Sequence, residues 1–121
     1  MKRFEELEIY ISAGKLADSI WDICLHWDHH TRIALGRQLC SAADSICANI
    51  AEGFGRYHFR DNLRFLYIAR GSLEETRSWI IRAGQRQLIT KDKYESLYYQ
   101  IEILGKKLNA NINSIKQLVE P

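Results

Sequence analysis

The near-absence of proline is the sequence feature that most constrains the fold of this chain. The single proline is Pro121, and the seven glycines lie mostly near the ends of predicted helices. Proline inside a helix removes a backbone hydrogen bond and clashes with the preceding turn. Long uninterrupted helices are therefore favoured, and we predict an all-α fold. A chain of 121 residues is large enough to bury one core, so we expect a single domain over residues 1–121.

Apolar residues recur with helical spacing in four segments. These predict helices over residues 5–26, 33–52 and 59–87, and a fourth helix that follows Thr90, a candidate N-cap. The fourth segment has near-heptad spacing, which is typical of helices packed lengthwise. Short connections make sequential helices antiparallel neighbours. We predict an up-and-down antiparallel four-helix bundle.

The first predicted helix carries apolar residues on two adjoining stripes. One stripe consists of Leu7, Tyr10, Ile11, Gly14, Trp21 and Leu25, and the other of Ile9, Ala13, Leu16, Ala17, Ile20, Cys24 and Trp27. Together they cover about 200° of the helix, against about 100° for a helix with one buried face. Such a helix needs neighbours on two sides, and the second neighbour can be another subunit. We expect a homo-oligomer.

The second and third predicted helices each have one apolar face. The second is expected to bury Leu35, Leu39, Ala42, Ala43, Ile46 and Ile50. The third is expected to bury Phe59, Asn62, Leu66, Ala69, Leu73 and Ile80. The small residues of the second helix allow a close approach between helices.

Arginines lie opposite the buried stripe of the third helix. From Arg56 to Arg86 seven arginines stand against three acidic residues, a local net charge of +4. Apolar side chains such as Ile68 lie beside these arginines, although a simple solvated face, the plain alternative, does not need them. We therefore predict a nucleic-acid-binding face made of Arg56, Tyr57, Arg60, Arg64, Trp79, Arg82 and Arg86.

A second set of polar residues flanks the predicted core. It consists of Gln38, Ser45, Asn49, Glu52, Arg70 and Arg77. We interpret this set as a structural network in which Glu52 and Arg70 form an ion pair bridged by Asn49. A partly buried carboxylate without a partner would cost several kcal/mol.

The cysteines, and the lack of a long apolar run, indicate a reduced, cytoplasmic location. The three cysteines are odd in number, and Cys40 and Cys47 lie about 10 Å apart along one helix, too far to form a disulfide. No apolar run reaches the length of a signal peptide or membrane span. We expect a cytoplasmic protein that has no membrane partner.

Catalytic patterns are weak. His26, Asp28, His29 and His30 are close in sequence, but they fall in a predicted loop that does not aim two imidazoles at one metal ion. No serine or cysteine has an evident base beside it. We expect no catalytic residues, no metal and no cofactor, and therefore not an enzyme.

Two segments resemble a known family: QLCSAADSICANIAEGFGR, residues 38–56, and FLYIARGSLEETRSWIIRA, residues 65–83. They are similar to the small bacterial four-helix-bundle proteins encoded within intervening sequences of large-subunit ribosomal RNA genes, a family related to the accessory variability protein of diversity-generating retroelements. The resemblance implies a ring, typically a homopentamer, with basic surfaces for nucleic acid. The matching motif residues are Gln38, Ser45, Asn49, Glu52, Gly53, Arg56, Ala69, Gly71, Ser72 and Glu75.

Two functions fit these features. The first is a non-catalytic oligomer that contacts the backbone of RNA or DNA through the basic helix face. The alternative is a protein-interaction scaffold that docks a partner such as a polymerase or reverse transcriptase, because interfaces are also enriched in Trp, Tyr and Arg. The sequence does not separate them.

Overall fold

The structure, a computed structural model, describes residues 3–119 apart from the side chain of Glu5. The ends of the predicted 1–121 domain, including Pro121, lie outside these residues. A 3₁₀ turn, Phe4–Glu6, precedes helix α1, Glu8–Leu25. Helix α2 consists of three consecutive segments, His29–Thr31, a π-helical stretch Arg32–Gly36, and Arg37–Phe54. Helices α3, Phe59–Gln85, and α4, Lys91–Val119, complete the fold.

The four helices form the predicted bundle. Each helix packs against the next in the chain, and α1 also packs against α4, which closes the bundle around one core. No strand occurs between residues 3 and 119. The predicted all-α four-helix fold is confirmed.

Helical periodicity predicted most of the core. All six expected positions of α2 are buried, as are Leu66, Ala69, Leu73 and Ile80 of α3. The prediction for Phe59 is wrong: its side chain is 52% exposed, because it is the first residue of α3, at the end of the bundle.

One stripe of α1 faces the core, and of the other stripe Leu7 and Tyr10 pack against the core at the start of the helix. Residues such as Leu16 and Ile20 are buried, whereas the other stripe leaves Ile11, Trp21 and Leu25 exposed. Trp21 is 53% exposed. We call Ile11, Trp21 and Leu25 the α1 strip. The helix therefore has apolar surface that the single chain does not cover.

Helix α2 begins earlier than predicted. Asp28 caps it by accepting a 2.7 Å hydrogen bond from the backbone N–H of Thr31, and the same bond holds the pKa of Asp28 below its usual value. His29 and His30 consequently lie in the first helical turn and not in a loop.

A left-handed residue fixes the link between α3 and α4. Gln87 has φ of 59°, and the backbone N–H of Leu88 donates to the carbonyl of Ala83 over 2.9 Å, the pattern of a Schellman C-cap. The indole N–H of Trp27 donates to the Leu88 carbonyl over 3.0 Å. The predicted Thr90 cap is confirmed, since its hydroxyl accepts from the N–H of Lys93 at 3.2 Å.

The opposite end of the bundle depends on a close approach at Gly53. A Cβ atom at this position would lie 2.8 Å from Asn62 Oδ1 and 3.0 Å from Phe65 Cβ. The absence of a side chain lets the end of α2 pack directly on the start of α3. This contact positions the residues that follow α2.

Candidate nucleic-acid interface

Two arginines share one aromatic ring where α2 passes into α3. The guanidinium carbon of Arg56 lies 4.7 Å from the centre of the Phe65 ring, and that of Arg64 lies 4.6 Å from the same centre. Arg56 also donates to a carboxylate oxygen of Glu52 over 2.6 Å. Cation–π contacts and this ion pair hold the two cations in place at the surface.

Exposed aromatic side chains surround these arginines. Tyr57 is 94% exposed, and its ring meets that of His58 edge to face with centres 4.9 Å apart. Phe54 and Phe59 are also exposed. Contiguous apolar surface with a polar rim is typical of interaction sites. We call this group the aromatic–arginine cluster; it consists of Phe54, Arg56, Tyr57, His58, Phe59, Arg60, Arg64 and Phe65.

The predicted arginine face divides into two groups. Arg82 and Arg86 are exposed near the end of α3. Arg82 lies 22 positions after Arg60, which places the two residues about 33 Å apart along the helix. Tyr67 and Ile68 are exposed between the two groups. Arg56, Tyr57, Arg60 and Arg64 thus lie together, apart from Arg82 and Arg86.

Trp79 is less accessible than the sequence interpretation assumed. Its side chain is half-buried and packs against the core. The indole N–H donates to a carboxylate oxygen of Glu75 over 3.1 Å. This ring contributes less open surface than Tyr57.

The predicted ion pair between Glu52 and Arg70 is wrong. Glu52 is exposed and pairs with Arg56 one turn later. Arg70 donates to Asn109 Oδ1 on α4 over 3.2 Å and lies over the ring of Tyr67. The side of α3 that bears Arg70 faces α4 and not α2, so Arg70 is directed away from Glu52.

The other network residues also separate. Arg77 binds Glu74 and, across the bundle, Glu102 on α4. Burial opposes the charge of Arg77, but these bonds outweigh it and raise the pKa of the guanidinium. Gln38 is exposed and lies outside this network. Ser45 and Asn49 remain joined, with Asn49 Nδ2 donating to Ser45 Oγ over 3.0 Å.

The thiols are poorly suited to nucleophilic chemistry at neutral pH. Burial, with a smaller effect of Cys40, raises the pKa of Cys24 to about 12, and burial together with Asp44 raises that of Cys47 to about 11. Both groups therefore stay protonated. Among the described side chains, which leave out that of Glu5, no three His, Cys, Asp or Glu residues converge as a metal site. No helix between residues 3 and 119 is long and apolar enough to span a membrane.

Sequence reasoning missed Phe54, His58, Phe59 and Phe65 as parts of the cluster. Aromatic residues at positions 54, 57 and 59 alternate with arginines 56 and 60, and this interleaving was the available signal. Helical periodicity could not detect this interleaving, because residues 55–58 lie between α2 and α3 and follow no helical repeat.

Comparison with known proteins agrees with the fold and with the predicted resemblance. Residues 5–110 match the sequence profile of the 23S rRNA-intervening sequence protein family. The chain belongs to this family. The region that matches the 23S rRNA-intervening sequence protein family includes both motif segments and all residues of the aromatic–arginine cluster. No curated protein matches this family member.

A solved structure resembles this 23S rRNA-intervening sequence protein closely in fold. It is the 1.70 Å crystal structure of a protein of unknown function from the S23 ribosomal protein family of Bacteroides thetaiotaomicron VPI-5482. The TM-score is 0.80 at 23% sequence identity, and the aligned region covers 86% of this chain and 97% of the other. At this identity the similarity supports the fold alone.

Proposed function

We propose that this protein is a non-catalytic, oligomeric nucleic-acid-binding protein that contacts the RNA or DNA backbone through the arginines of α3. The observation that supports this most is the aromatic–arginine cluster, in which Arg56 and Arg64 are held over Phe65 beside the exposed Tyr57. Guanidinium groups bind phosphates, and exposed rings stack on unpaired bases. A merely solvated face needs no such rings.

Assembly strengthens the proposed binding. One chain offers only a few arginines, but several copies around an axis meet more phosphates and release more counterions. The exposed α1 strip, which includes Trp21, is the apolar surface that a second copy would cover. The family resemblance makes a homopentameric ring the expected assembly.

RNA is the first ligand to test. The family name refers to 23S rRNA, and RNA is recognised mostly through single-stranded or irregular regions whose bases are free to stack.

The three cysteines are free thiols, which fits the reducing cytoplasm. We place the protein there, with RNA ahead of DNA as its partner.

A protein-docking function is the second candidate. It is favoured by Tyr67 and Ile68, which are exposed between the two arginine groups. Tyrosine and arginine are enriched at protein interfaces. The partner would be a protein such as a polymerase or reverse transcriptase. A polymerase-type partner binding through this central apolar surface would show little dependence on salt.

Charge reversal tests the proposed function. The double variant Arg60→Glu with Arg64→Glu should weaken binding to a structured RNA by more than about tenfold, because phosphate contacts become repulsive. The matched control is Lys106→Glu with Lys116→Glu, which changes net charge equally on exposed positions of α4. Fluorescence anisotropy measures affinity, and circular dichroism verifies folding. Unchanged affinity of the α3 variant, or equal loss in both variants, would overturn the assignment to this face.

A further inference from the structure

A cleft opens beside the aromatic–arginine cluster, where the ends of the four helices meet. Its volume is about 260 Å³, and its wall includes Phe54, Arg56, Phe59, Asn62, Leu66 and Asn111. The cleft therefore combines residues from α2, α3 and α4 with two partly exposed aromatic rings. Sequence reasoning could not find it, since Asn111 is far from the others along the chain.

The cleft contains two amide groups that the protein leaves available. Asn62 and Asn111 are half-buried, and neither carboxamide is hydrogen-bonded to another described side chain or backbone group, a set that leaves out the side chain of Glu5. No described side-chain nitrogen or oxygen is both buried and unpaired, so the unpaired atoms of these two amides reach solvent and are open to a ligand. A carboxamide offers a donor and an acceptor side by side. This arrangement matches the edge of a nucleobase.

The remaining surface suits a flat, aromatic ligand attached to phosphate. Leu66 is fully buried behind the cleft, while Phe54 and Phe59 expose ring surface. Arg56 places a guanidinium at the same wall. An aliphatic side chain would fill the cleft but leave both carboxamides unpaired, which carries a desolvation cost. A base satisfies the amides and the rings together.

We infer that this cleft binds one unpaired nucleobase of a single-stranded nucleic acid. The base stacks on the exposed ring of Phe59, its polar edge bonds to Asn62 and Asn111, and its neighbouring phosphate lies against Arg56. This inference rests on the proposed function, and it names the part of the ligand that the same end of the bundle selects. The inference also predicts that the protein prefers nucleic acid with unpaired regions over uniform duplex.

Strands with and without a base separate this inference from the proposed function. Single-stranded RNA and DNA of one sequence carry 2-aminopurine at a central position, and abasic strands of equal length provide the same backbone charge. The base-containing strands should bind about tenfold more tightly than the abasic strands and lose fluorescence on binding, since this factor lies within the range that one base–aromatic stack contributes. The RNA and DNA arms rank the two sugars.

Variants then assign the effect to the cleft. Phe59→Ala and Asn111→Ala should each weaken binding of the base-containing strands by about five- to tenfold and leave abasic affinity unchanged. The matched controls, Tyr99→Ala and Asn113→Ala, alter exposed side chains of α4 outside the cleft and should have no effect. Because Phe59 is exposed and Asn111 is half-buried, the variants should stay folded, which thermal melting verifies.

Three outcomes overturn different statements. Absence of binding to every strand contradicts the proposed function itself. Equal binding of base-containing and abasic strands contradicts the cleft inference and leaves backbone binding intact. A base preference that survives in both Phe59→Ala and Asn111→Ala places the base elsewhere, again contradicting the cleft inference alone.

Discussion

The hydroxyl oxygens of Ser45 on α2 and Ser72 on α3 lie 2.9 Å apart and share a hydrogen bond. Asn49 extends this contact by donating to the Ser45 carbonyl over 2.8 Å. These three residues belong to the two segments that carry the family resemblance. Their shared contact joins α2 to α3, so part of the family motif stabilises helix packing and does not form a binding surface.

Removing both hydroxyl groups should destabilise the fold by less than the sum of the two single removals. Ser45→Ala leaves the Ser72 hydroxyl without its partner, while Asn49 keeps its bond to the backbone carbonyl of residue 45. We expect a loss of about 1 kcal/mol in the free energy of unfolding. Ser72→Ala should cost a similar amount, whereas the double variant should cost less than the sum. Urea denaturation measures the three values.

Ser41→Ala and Ser78→Ala provide the controls for this pair. Both serines are exposed on the same two helices, and replacing them by alanine should leave stability unchanged or raise it slightly through helix propensity. Strict additivity of Ser45→Ala and Ser72→Ala would show that the two hydroxyl groups are not coupled.

Gln87→Gly should raise the melting temperature. Gln87 has φ of 59°, a conformation that costs an L-residue about 1–2 kcal/mol. Glycine removes this strain but loses more entropy on folding, so the net gain is about 0.5–1 kcal/mol, or roughly 2–5 °C. Gln85→Gly, inside the last turn of α3, should instead lower the melting temperature. A lower melting temperature for Gln87→Gly would contradict the left-handed cap.

Cys24 should react slowly with iodoacetamide while the chain is folded. Burial raises the pKa of its thiol from 9.0 to about 12, so the thiolate fraction at pH 8 falls about a thousandfold. The folded state then retains a proton that the unfolded state loses, and stability should decrease as pH rises from 9 toward 12. Peptide mass spectrometry after alkylation measures the rate. Equal rates in native and urea-unfolded protein would be inconsistent with a buried thiol.

Trp21→Glu should yield folded monomers if the proposed homo-oligomer forms through the α1 strip. The side chain lies on the exposed α1 strip, and a carboxylate placed in an apolar interface loses hydration without gaining a partner. We expect the dissociation constant to rise by more than about 30-fold, the effect of losing a central interface residue. Sedimentation velocity gives the molecular mass. Tyr99→Glu, an exposed aromatic on α4, is the comparison; dissociation by Tyr99→Glu alone would place the interface elsewhere.

Periodicity predicted the core because every helix buries one side. Leu39 and Ile46 on α2, and Leu104 and Leu108 on α4, are all buried as their spacing requires. The same reasoning was wrong at helix ends. Leu118 follows the α4 spacing but is exposed, since the apolar pattern there outlasts the neighbouring helices.

The candidate site was predicted only in part, because it depends on which helices become neighbours. The spacing placed Arg60 and Arg64 on an outer face, and both are exposed. It could not show that Arg70 faces α4, or that Asn111 reaches a cleft beside Phe59. The π-helical stretch Arg32–Gly36 was also missed, because its wider turn breaks the 3.6-residue repeat on which the prediction relied.

The most direct test of the proposed function is a titration of the assembled protein with structured RNA, single-stranded DNA and duplex DNA at several salt concentrations. We predict tight binding at low salt that weakens steeply, with a logarithmic slope of about −0.7 for each phosphate contacted on a single strand. The slope should correspond to several phosphates, and RNA with unpaired regions should bind best. Absence of binding by well-assembled protein at low salt, or affinity that does not change with salt, would contradict nucleic-acid binding and favour the protein scaffold.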